Sequence, residues 1–289
     1  MIVAGFDDYA GQGRGLAAAL GVPFELVQVR RFPDGESLVR LPASLPDEVV
    51  LCRSLDRPND KLIELMLAAR AAREHGAKRL TLVAPYLCYM RQDIEFHAGE
   101  AVSQRIVGGF LASLFERVVT VDPHLHRTEH LEAAVPAQAA IALSAAPLIG
   151  EYLSRRVPGA FVLGPDAESE QWARAVAAPG GLQHAVCVKT RRGDREVEIR
   201  MPAADFSGRR VVLVDDVAST ARTLATAARQ ALERGAASAD VFITHAILGG
   251  DAAAELRQAG VREVWSTDSV THASNVLPLA ALIAGYLRP

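Results

Sequence analysis

The sequence predicts an α/β protein made of two tandem domains whose sheets are mainly parallel. Apolar, β-type runs alternate with helical stretches along almost the whole chain, and this alternation is typical of parallel sheets covered by helices on both faces. Some runs, such as 211–214, are apolar at every position, which is typical of strands buried on both faces. The length of 289 residues is sufficient for two domains of ordinary size.

Composition and charge narrow the class of protein. Apolar residues make up 50% of the chain and charged residues 22%, a balance typical of globular domains. The net charge of −3 argues against nucleic acid or an anionic membrane as the main partner. No apolar run reaches the length of a membrane span, and the first residues lack the basic segment of a signal peptide. The three cysteines are widely spaced, which predicts reduced thiols in the cytoplasm rather than a zinc site or disulfides.

The elements follow from apolar periodicity and from the polar segments between them. We predict strands near 2–6, 25–32, 48–54, 79–86, 117–122, 160–164, 184–189, 209–214, 239–246 and 262–266. We predict helices near 12–20, 60–75, 101–115, 144–155, 168–178, 221–234, 250–259 and 276–287. Two β-type runs within 184–200 lie close together around a Gly-Asp pair, and there we expect a β-hairpin.

The chain also repeats itself. Residues 49–87 parallel 211–248, since each segment contains a strand, a polar loop, a long helix ending in Gly-Ala and a second strand. The alternative is that all βαβ units look alike. The first half has a longer connection at 88–100, and an insertion in a surface connection is usually functional. We expect the boundary in the Ala-rich 140–148, which gives domains 1–145 and 146–289. Whether the last helix packs back on the first domain stays open.

The most informative stretch follows the strand at 209–214. Asp215 and Asp216 end this strand, where carboxylates can hold ribose hydroxyls or a hydrated Mg²⁺. The next residues, 218–221, are small or carry hydroxyls and lead into a helix, an arrangement that suits a phosphate. The alternative is that the two acids only cap the helix, but two carboxylates beside an apolar strand are costly without partners.

Two segments of the first half carry groups suited to a nucleotide. The turn 31–36, RFPDGE, has an aromatic before it and an acid after it, and by itself it favours a plain surface turn. In the insertion, Arg91 and Gln92 offer planar donors suited to phosphate oxygens or a purine edge. The alternative there is a solvated loop.

Three further segments follow predicted strands. His124, in Asp-Pro-His, can bind a divalent metal or a phosphate, and zinc stays a minor alternative because of the second histidine, His126. Asp166 lies where a strand gives way to a helix, so it can also be an N-cap. The segment 189–195 collects four cations around a glycine. It is either a solvated hairpin tip or a mobile flap that lowers cations onto polyphosphate.

The order of these segments is more specific than any one of them. In chain order, FPDGE, PYxxYxRQD with GEAVS, DPH, PDA, K-x-R and VDDxxST resemble the ribose-phosphate diphosphokinase family over nearly the whole chain. The loop 215–223 is similar to the phosphoribosyl-diphosphate loop of the type I phosphoribosyltransferase fold. The resemblance implies two Rossmann-like domains of that type related by pseudo-twofold duplication, with the loop decayed at 53–60 in the first copy.

The resemblance also implies a role for each matching residue. For ATP these are Phe32, Asp34, Glu36, Arg91, Gln92, Asp93 and His124, and for ribose 5-phosphate they are Asp215, Asp216, Ser219, Thr220, Ala221 and Thr223. His124 would bind near the Mg²⁺ of the triphosphate, and Asp166 would hold a second Mg²⁺ or a ribose hydroxyl. Lys189 and Arg191 would be the catalytic residues of the flap. A turn shared with a neighbouring subunit implies a homodimer or a higher homo-oligomer.

Three departures from the family pattern concern the second half. Arg222 stands where the family usually has Gly, and its Cβ restricts a positive φ; it either adds a phosphate contact or points to solvent. Glu168 and Ser169 replace a Gly-Gly pair. Ser219 in place of Asp, together with the short chain, is closer to the archaeal-type members, for which we expect little allosteric control by ADP or phosphate.

The implied reaction is transfer of the β,γ-diphosphoryl group of MgATP to the C1 hydroxyl of ribose 5-phosphate, with release of AMP. One alternative is a non-catalytic regulatory paralogue, which retention of Lys189, Arg191, His124 and both loop acids disfavours. The other is a phosphoribosyltransferase, which consumes the diphosphate sugar. The duplicated domain, the FPDGE turn and the RQD loop disfavour that reading.

Overall fold

The fold is taken from a computed structural model that describes residues 1–125, 127–128, 130–192, 196–218 and 221–288, without the side chains of 189–192 and 196–198. The chain divides into two units. The first contains Met1–Leu143, Ser269–Thr271 and Pro278–Pro289, and the second contains Ser144–Asp268 and His272–Leu277. Within the described residues, no helix has both the length and the apolar character needed to cross a membrane.

The first unit alternates strands and helices as the sequence predicts. Its strands are β1 (Ile2–Phe6), β2 (Phe24–Arg31), β3 (Ser37–Arg40), β4 (Glu48–Cys52), β5 (Arg79–Val83), β6 (Arg117–Val121) and β7 (Ala139–Leu143). Its helices are α1 (Ala10–Leu20), α2 (Pro58–Glu74), α3 (Ser103–Leu114) and α4 (Leu131–Ala134), with α9 (Ala280–Leu287) from the end of the chain. The helix α9 packs against α1, with the side chain of Ala280 facing Gly15.

The first sheet has the order β3-β2-β1-β4-β5-β6-β7. Every pairing is parallel except that of β2 with β3, which form an antiparallel hairpin at one edge. The central strands are apolar at nearly every position and pack beneath the helices in one continuous core. Because these strands run parallel, their carboxyl ends lie at one edge of the sheet, and the polar connections that follow them begin at that edge.

The second unit repeats this plan. Its strands are β8 (Phe161–Gly164), β9 (Gln183–Val186), β10 (Val188–Arg192), β11 (Glu196–Arg200), β12 (Arg210–Val217), β13 (Ser238–His245), β14 (Val261–Thr267) and β15 (Asn275–Leu277). Its helices are α5 (Ala146–Arg156), α6 (Glu170–Ala177), α7 (Arg222–Glu233) and α8 (Ala252–Gln258).

The second sheet has the order β15-β14-β13-β12-β8-β9, and all of its pairings are parallel. Strands β10 and β11 form a separate antiparallel hairpin. Apart from the edge strand β3, the first sheet has the same order when β8, β9 and β12 to β15 are matched to β1, β2 and β4 to β7. The predicted fold of two α/β units with mainly parallel sheets is confirmed, and the shared order explains the repeat in the sequence.

Some elements differ from those expected. The Ala-rich stretch in which we expect the domain boundary contains β7, a strand that was not predicted, because pairing with β6 stabilises a strand that alanine does not favour by itself. The strand expected at 79–86 ends at Val83, and that expected at 184–189 is divided at Cys187 between β9 and β10. The hairpin predicted within 184–200 is present.

Candidate active site

Three carboxylates gather at one edge of the second sheet. Strands β8 and β12 are parallel neighbours, with Leu163 opposite Leu213, so their carboxyl ends meet. Asp166 follows β8, and Asp215 and Asp216 lie near the end of β12. The tertiary structure thus brings together acids that are about fifty positions apart in the chain.

Their proximity changes the ionisation of one member. Burial raises the pKa of Asp215 well above its ordinary value, and the neighbouring charges of Asp216 and then Asp166 raise it further. One backbone group opposes this in part, since the amide of Asp216 donates to Asp215 Oδ1 at 3.1 Å. The amide of Val217 donates to Asp216 Oδ1 at 2.7 Å. A cluster of this kind favours a cation or hydroxyl donors between the carboxylates.

The oxygen donors fit a hard divalent cation. No three histidine, cysteine or acidic side chains among the described residues are arranged as a complete metal cage. Mg²⁺ usually takes one or two carboxylates and completes its shell with water and substrate oxygens. The donor set of Asp166, Asp215 and Asp216 therefore fits Mg²⁺ better than zinc.

Asp166 is held in place by its own helix turn. Its Oδ1 accepts from the amide of Ser169 at 3.2 Å, and the Ser169 Oγ accepts from the amide of Asp166 at 3.4 Å. This capping box requires space behind it, because a Cβ at Gly164 would lie 2.3 Å from the Ser169 Oγ. The N-cap interpretation of Asp166 is thus correct, and the cap orients the carboxylate beside β12.

The loop after β12 ends at the N-terminus of α7. Ala221 adopts a left-handed conformation with φ of 58°, and Thr223 lies half-buried in the first helical turn. The concern that Arg222 would need a positive φ is wrong, because Arg222 is already helical and Ala221 makes the turn. Ser219 and Thr220 lie outside the described residues.

The hairpin β10–β11 starts beside the same edge. The amide of Cys187 donates to the carbonyl of Gly164 at 2.9 Å, which fixes the base of the hairpin next to β8. Lys189 and Arg191 lie two positions apart in β10 and so share one face of the hairpin. The side chains of both residues lie outside the part of the protein that the structure describes.

The pKa of Asp215 predicts a pH-dependent stability. Its folded-state pKa lies above the ordinary 3.8, so its contribution is complete below that value and is lost as the pH rises through the folded-state pKa. We expect Asp215→Asn to stabilise the Mg²⁺-free protein by about 1 kcal/mol at pH 8 and to have little effect near pH 4. Chemical unfolding at both pH values measures this.

A control of opposite sign is available in the same unit. The amide and hydroxyl of Ser207 lower the pKa of the exposed Asp205, so Asp205→Asn is expected to remove stability that is present only above pH 4. Destabilisation by Asp215→Asn at pH 8 would contradict the interpretation that the buried charge of Asp215 destabilises the folded protein.

In the first unit, the turn 32–36 closes the hairpin β2–β3. The amide of Phe32 donates to the Glu36 carbonyl at 2.8 Å, and Gly35 adopts the left-handed region with φ of 94°. Phe32 is half-buried with the Arg30 guanidinium 5.0 Å from its ring centre. Asp34 and Glu36 are exposed at the tip.

The insertion 88–100 is braced by its own side chains. Gln92 Nε2 donates to Glu100 Oε2 at 3.2 Å, whereas Arg91 is exposed. Asp93 is buried, and its carboxylate accepts from Arg127 Nη1 at 2.9 Å and from the Arg127 amide at 3.2 Å. Asp93 therefore ties the insertion to the segment that carries the half-buried His124, three residues before Arg127.

Backbone strain is concentrated at these edges. The described non-glycine residues with positive φ are Arg57, Tyr89, Asp122 and Ala221. They lie in the connections after β4, β5, β6 and β12, respectively. Such conformations are costly and are typical of functional sites.

One group of charged residues was not anticipated from the sequence. Asp8 follows β1 as Asp166 follows β8, and Arg53 lies just past the end of β4 whereas Asp215 lies near the end of β12. Arg53 and Glu64 are buried and form an ion pair of 2.7 Å. The available signal was the position of Asp8 after a buried strand. No feature of the sequence marks Glu64 as buried, because one acid within a long helix usually faces solvent.

Comparisons with known proteins cover nearly the whole chain. A family model described as the N-terminal domain of ribose phosphate pyrophosphokinase matches residues 6–114, and one described as a phosphoribosyl synthetase-associated domain matches residues 193–282. The ribose-phosphate pyrophosphokinase of Methanopyrus kandleri is 36% identical over 98% of this chain and 97% of its own. That of Saccharolobus solfataricus is 34% identical over 93% of each chain.

A solved structure agrees with these sequence matches. The crystal structure of phosphoribosylpyrophosphate synthetase from Mycobacterium smegmatis superposes with a TM-score of 0.83 and 26% identity, covering 99% of this chain and 96% of that one. Both similarities extend across the two units.

Proposed function

This chain belongs to the ribose-phosphate pyrophosphokinase family, and on that basis we propose which residues bind each substrate and which promote the transfer. It is an enzyme that transfers the β,γ-diphosphoryl group of ATP to the C1 hydroxyl of ribose 5-phosphate and releases AMP. The observation that supports the residue roles best is the cluster of Asp166, Asp215 and Asp216 beside the start of α7.

We assign the sugar phosphate to the C-terminal domain, residues 146–289. Asp215 and Asp216 accept hydrogen bonds from the ribose 2- and 3-hydroxyls. The 5-phosphate is held by Ser219, Thr220, Ala221 and Thr223 and by amides at the N-terminus of α7, where the helix dipole favours an anion. The strained backbone of Ala221 turns the loop toward that helix start.

We assign ATP to the N-terminal domain, residues 1–145. Phe32 offers an aromatic face to the adenine, and the exposed Asp34 and Glu36 offer acceptors at the tip of the same turn. Arg91, Gln92 and His124 are the proposed contacts to the phosphates. Asp93 belongs to this set as well, and its bond to Arg127 suggests that it acts by holding the segment of His124.

The chemistry needs positioning more than a protein nucleophile. The C1 oxygen of the sugar bonds to the β-phosphorus, the bond from that phosphorus to the α,β-bridging oxygen breaks, and the hydroxyl proton passes to solvent. Two polyanions must meet in line, so we assign Lys189 and Arg191 to neutralise charge on the transferred group. Mg²⁺ is the proposed cofactor, with one ion near His124 and a second near Asp166, and when bound it supplies charge neutralisation of the phosphates.

We also propose a cellular compartment and an oligomeric state. The three free cysteines are buried, which suits a reducing cytoplasm. A nucleotide turn at the edge of a sheet suits completion by a second copy, so we expect a homodimer or a higher homo-oligomer.

Phosphorus NMR on purified protein with MgATP and ribose 5-phosphate tests the proposed function. We expect AMP to appear together with a sugar-linked diphosphate signal. Formation of ADP or free phosphate instead would indicate an ordinary kinase or ATPase. Binding of both substrates without turnover would indicate a non-catalytic paralogue.

Removing the side chain of Arg222 is expected to stabilise the free protein and to weaken the binding of ribose 5-phosphate. It is exposed at the first position of α7 and makes no ion pair with a residue in the described part of the chain, so its cation opposes the helix dipole until an anion binds. We expect Arg222→Ala to stabilise the free protein by about 0.5 kcal/mol. We also expect it to raise the KM for ribose 5-phosphate by about fivefold.

The matched control is Arg229→Ala, which removes an exposed arginine two turns along the same helix. Thermal melts and initial rates on both variants measure the two effects. Equal KM values for the two variants would show that Arg222 points to solvent.

A further inference from the structure

The base of the turn 32–36 rests on a buried carboxylate. Arg31 and Ser37 face each other as the last pair of the hairpin β2–β3 before the turn. The Ser37 hydroxyl donates to Glu64 Oε1 at 3.0 Å. Arg31 Nη2 lies 3.5 Å from the same oxygen and 2.7 Å from the exposed Asp60, so Ser37 makes the closer contact with Glu64. Glu64 lies on α2 with 1% of its surface exposed. One acid thus contacts both strands where the turn begins.

The second oxygen of Glu64 is held from the interior. Arg53 Nη1 lies 2.7 Å from Glu64 Oε2, and Arg53 Nε donates to Asp8 Oδ1 at 3.0 Å. The Arg53 guanidinium also lies 4.2 Å from the centre of the Phe6 ring. Arg53 and Glu64 are both buried, so their ion pair is enclosed by the protein, although Arg53 Nη1 and Glu64 Oε2 are not in hydrogen-bond geometry.

The cluster extends to a second cation. Lys61 Nζ lies 2.9 Å from Asp8 and 2.7 Å from Asp56, and it donates to the Ser54 carbonyl at 2.9 Å. The acids of the first unit are therefore paired with cations at the place where the second unit has its cluster of three carboxylates. In the first copy, the decayed loop at 53–60 is thus bonded to side chains of the protein itself.

An ion cluster of this kind is a poor source of stability by itself. Burying a carboxylate and a guanidinium costs solvation energy that their attraction only partly returns, and apolar replacements are often as stable. Apolar contacts hold the hairpin further from the turn, where Val29 and Val39 pack on the core. Directional bonds to Arg31 and Ser37 instead fix the orientation of the strand ends.

We propose that Glu64 is a positioning residue for the nucleotide turn, holding 32–36 through Arg31 and Ser37 while Arg53 fixes Glu64. The duplicated loop of the first copy thereby orients the ATP-binding turn instead of binding a sugar phosphate. This inference rests on the proposed assignment of ATP to Phe32, Asp34 and Glu36.

The test measures ATP binding by calorimetry with Mg²⁺ and without ribose 5-phosphate, so that it does not depend on turnover. Ser37→Ala removes one bond at a half-buried position and is expected to raise the Kd for ATP by about fivefold. Ser37→Thr keeps the hydroxyl on a residue that favours strands and should restore the wild-type Kd. Glu64→Gln should raise the Kd by about tenfold or more, since it removes the charge that both partners share.

The control is Glu48→Gln, which breaks an exposed ion pair with Arg79 in the same sheet. It is expected to leave the Kd for ATP unchanged. The KM for ribose 5-phosphate should stay within about twofold of wild type in every variant, because the sugar is assigned to the other domain.

The outcomes separate this inference from the proposed function. Unchanged ATP binding in Ser37→Ala and Glu64→Gln, or equal loss in Ser37→Ala and Ser37→Thr, would overturn the positioning role. An equal change in the KM for ribose 5-phosphate would also overturn it, since general loosening would then be the cause. Failure of the wild-type protein to make AMP and the diphosphate sugar would overturn the proposed function and leave the binding comparison intact.

Discussion

Lys189→Ala is expected to lower kcat by about 10³-fold with little change in the melting temperature. The transferred diphosphoryl group carries several negative charges, and the approach of a second anion must be compensated in the transition state. Lys189 starts the hairpin β10–β11, whose base is fixed beside Gly164 near the carboxylate edge. A cation on such a hairpin can be withdrawn until both substrates are bound, so its loss should reduce kcat more than it raises either KM.

The matched control for this prediction is Thr190→Ala. Thr190 is the next residue of β10 and belongs to the opposite face of the hairpin. We expect its turnover to stay within about threefold of wild type. Single-turnover experiments would show whether the loss in Lys189→Ala lies in the chemical step, and near-normal turnover would remove the flap from the mechanism.

The double variant Asp215→Asn, Asp216→Asn is expected to raise the KM for ribose 5-phosphate by about 10²-fold. Each carboxylate is assigned to a sugar hydroxyl, and an amide is a weaker acceptor than a charged oxygen. The raised pKa of Asp215 shows that the free protein already bears a cost for this charge. The variant should therefore fold at least as stably as the wild type.

Asp205→Asn is the control, because Asp205 is exposed in the same unit and its contacts are local, with the Ser207 amide at 2.9 Å and the Ser207 hydroxyl. Steady-state kinetics with ribose 5-phosphate varied at saturating ATP would measure the effect. The Kd for ATP should change far less than the KM for the sugar. An unchanged KM in the double variant would exclude the loop after β12 as the sugar site.

Much of this architecture follows from local patterns. The continuous apolar run before Asp215 predicts a strand buried on both faces, and its neighbours in sequence predict the helix α7. The chemistry of the loop follows as well, because acids and hydroxyls that emerge from such a strand must meet a polar partner. These signals are local, so they are present in a single sequence.

Other features depended on pairing across the chain. The strand β7 lies in a stretch of alanines that favours no strand, and it forms because β6 offers an unpaired edge. The positive φ at Ala221 rather than Arg222 depends on where α7 begins, and helix ends are poorly marked when no capping side chain precedes them.

The class of fold, the duplication and the chemical character of the loop after β12 can be predicted from the amino-acid sequence, because apolar periodicity and residue type act over a few positions. The effect of Asp166 on the pKa of Asp215 and the contact of Glu64 with the base of the turn 32–36 became visible only in the folded chain. Electrostatic coupling and hydrogen bonding depend on distances of a few ångströms between residues far apart in the chain. Such distances exist only once the strands have paired.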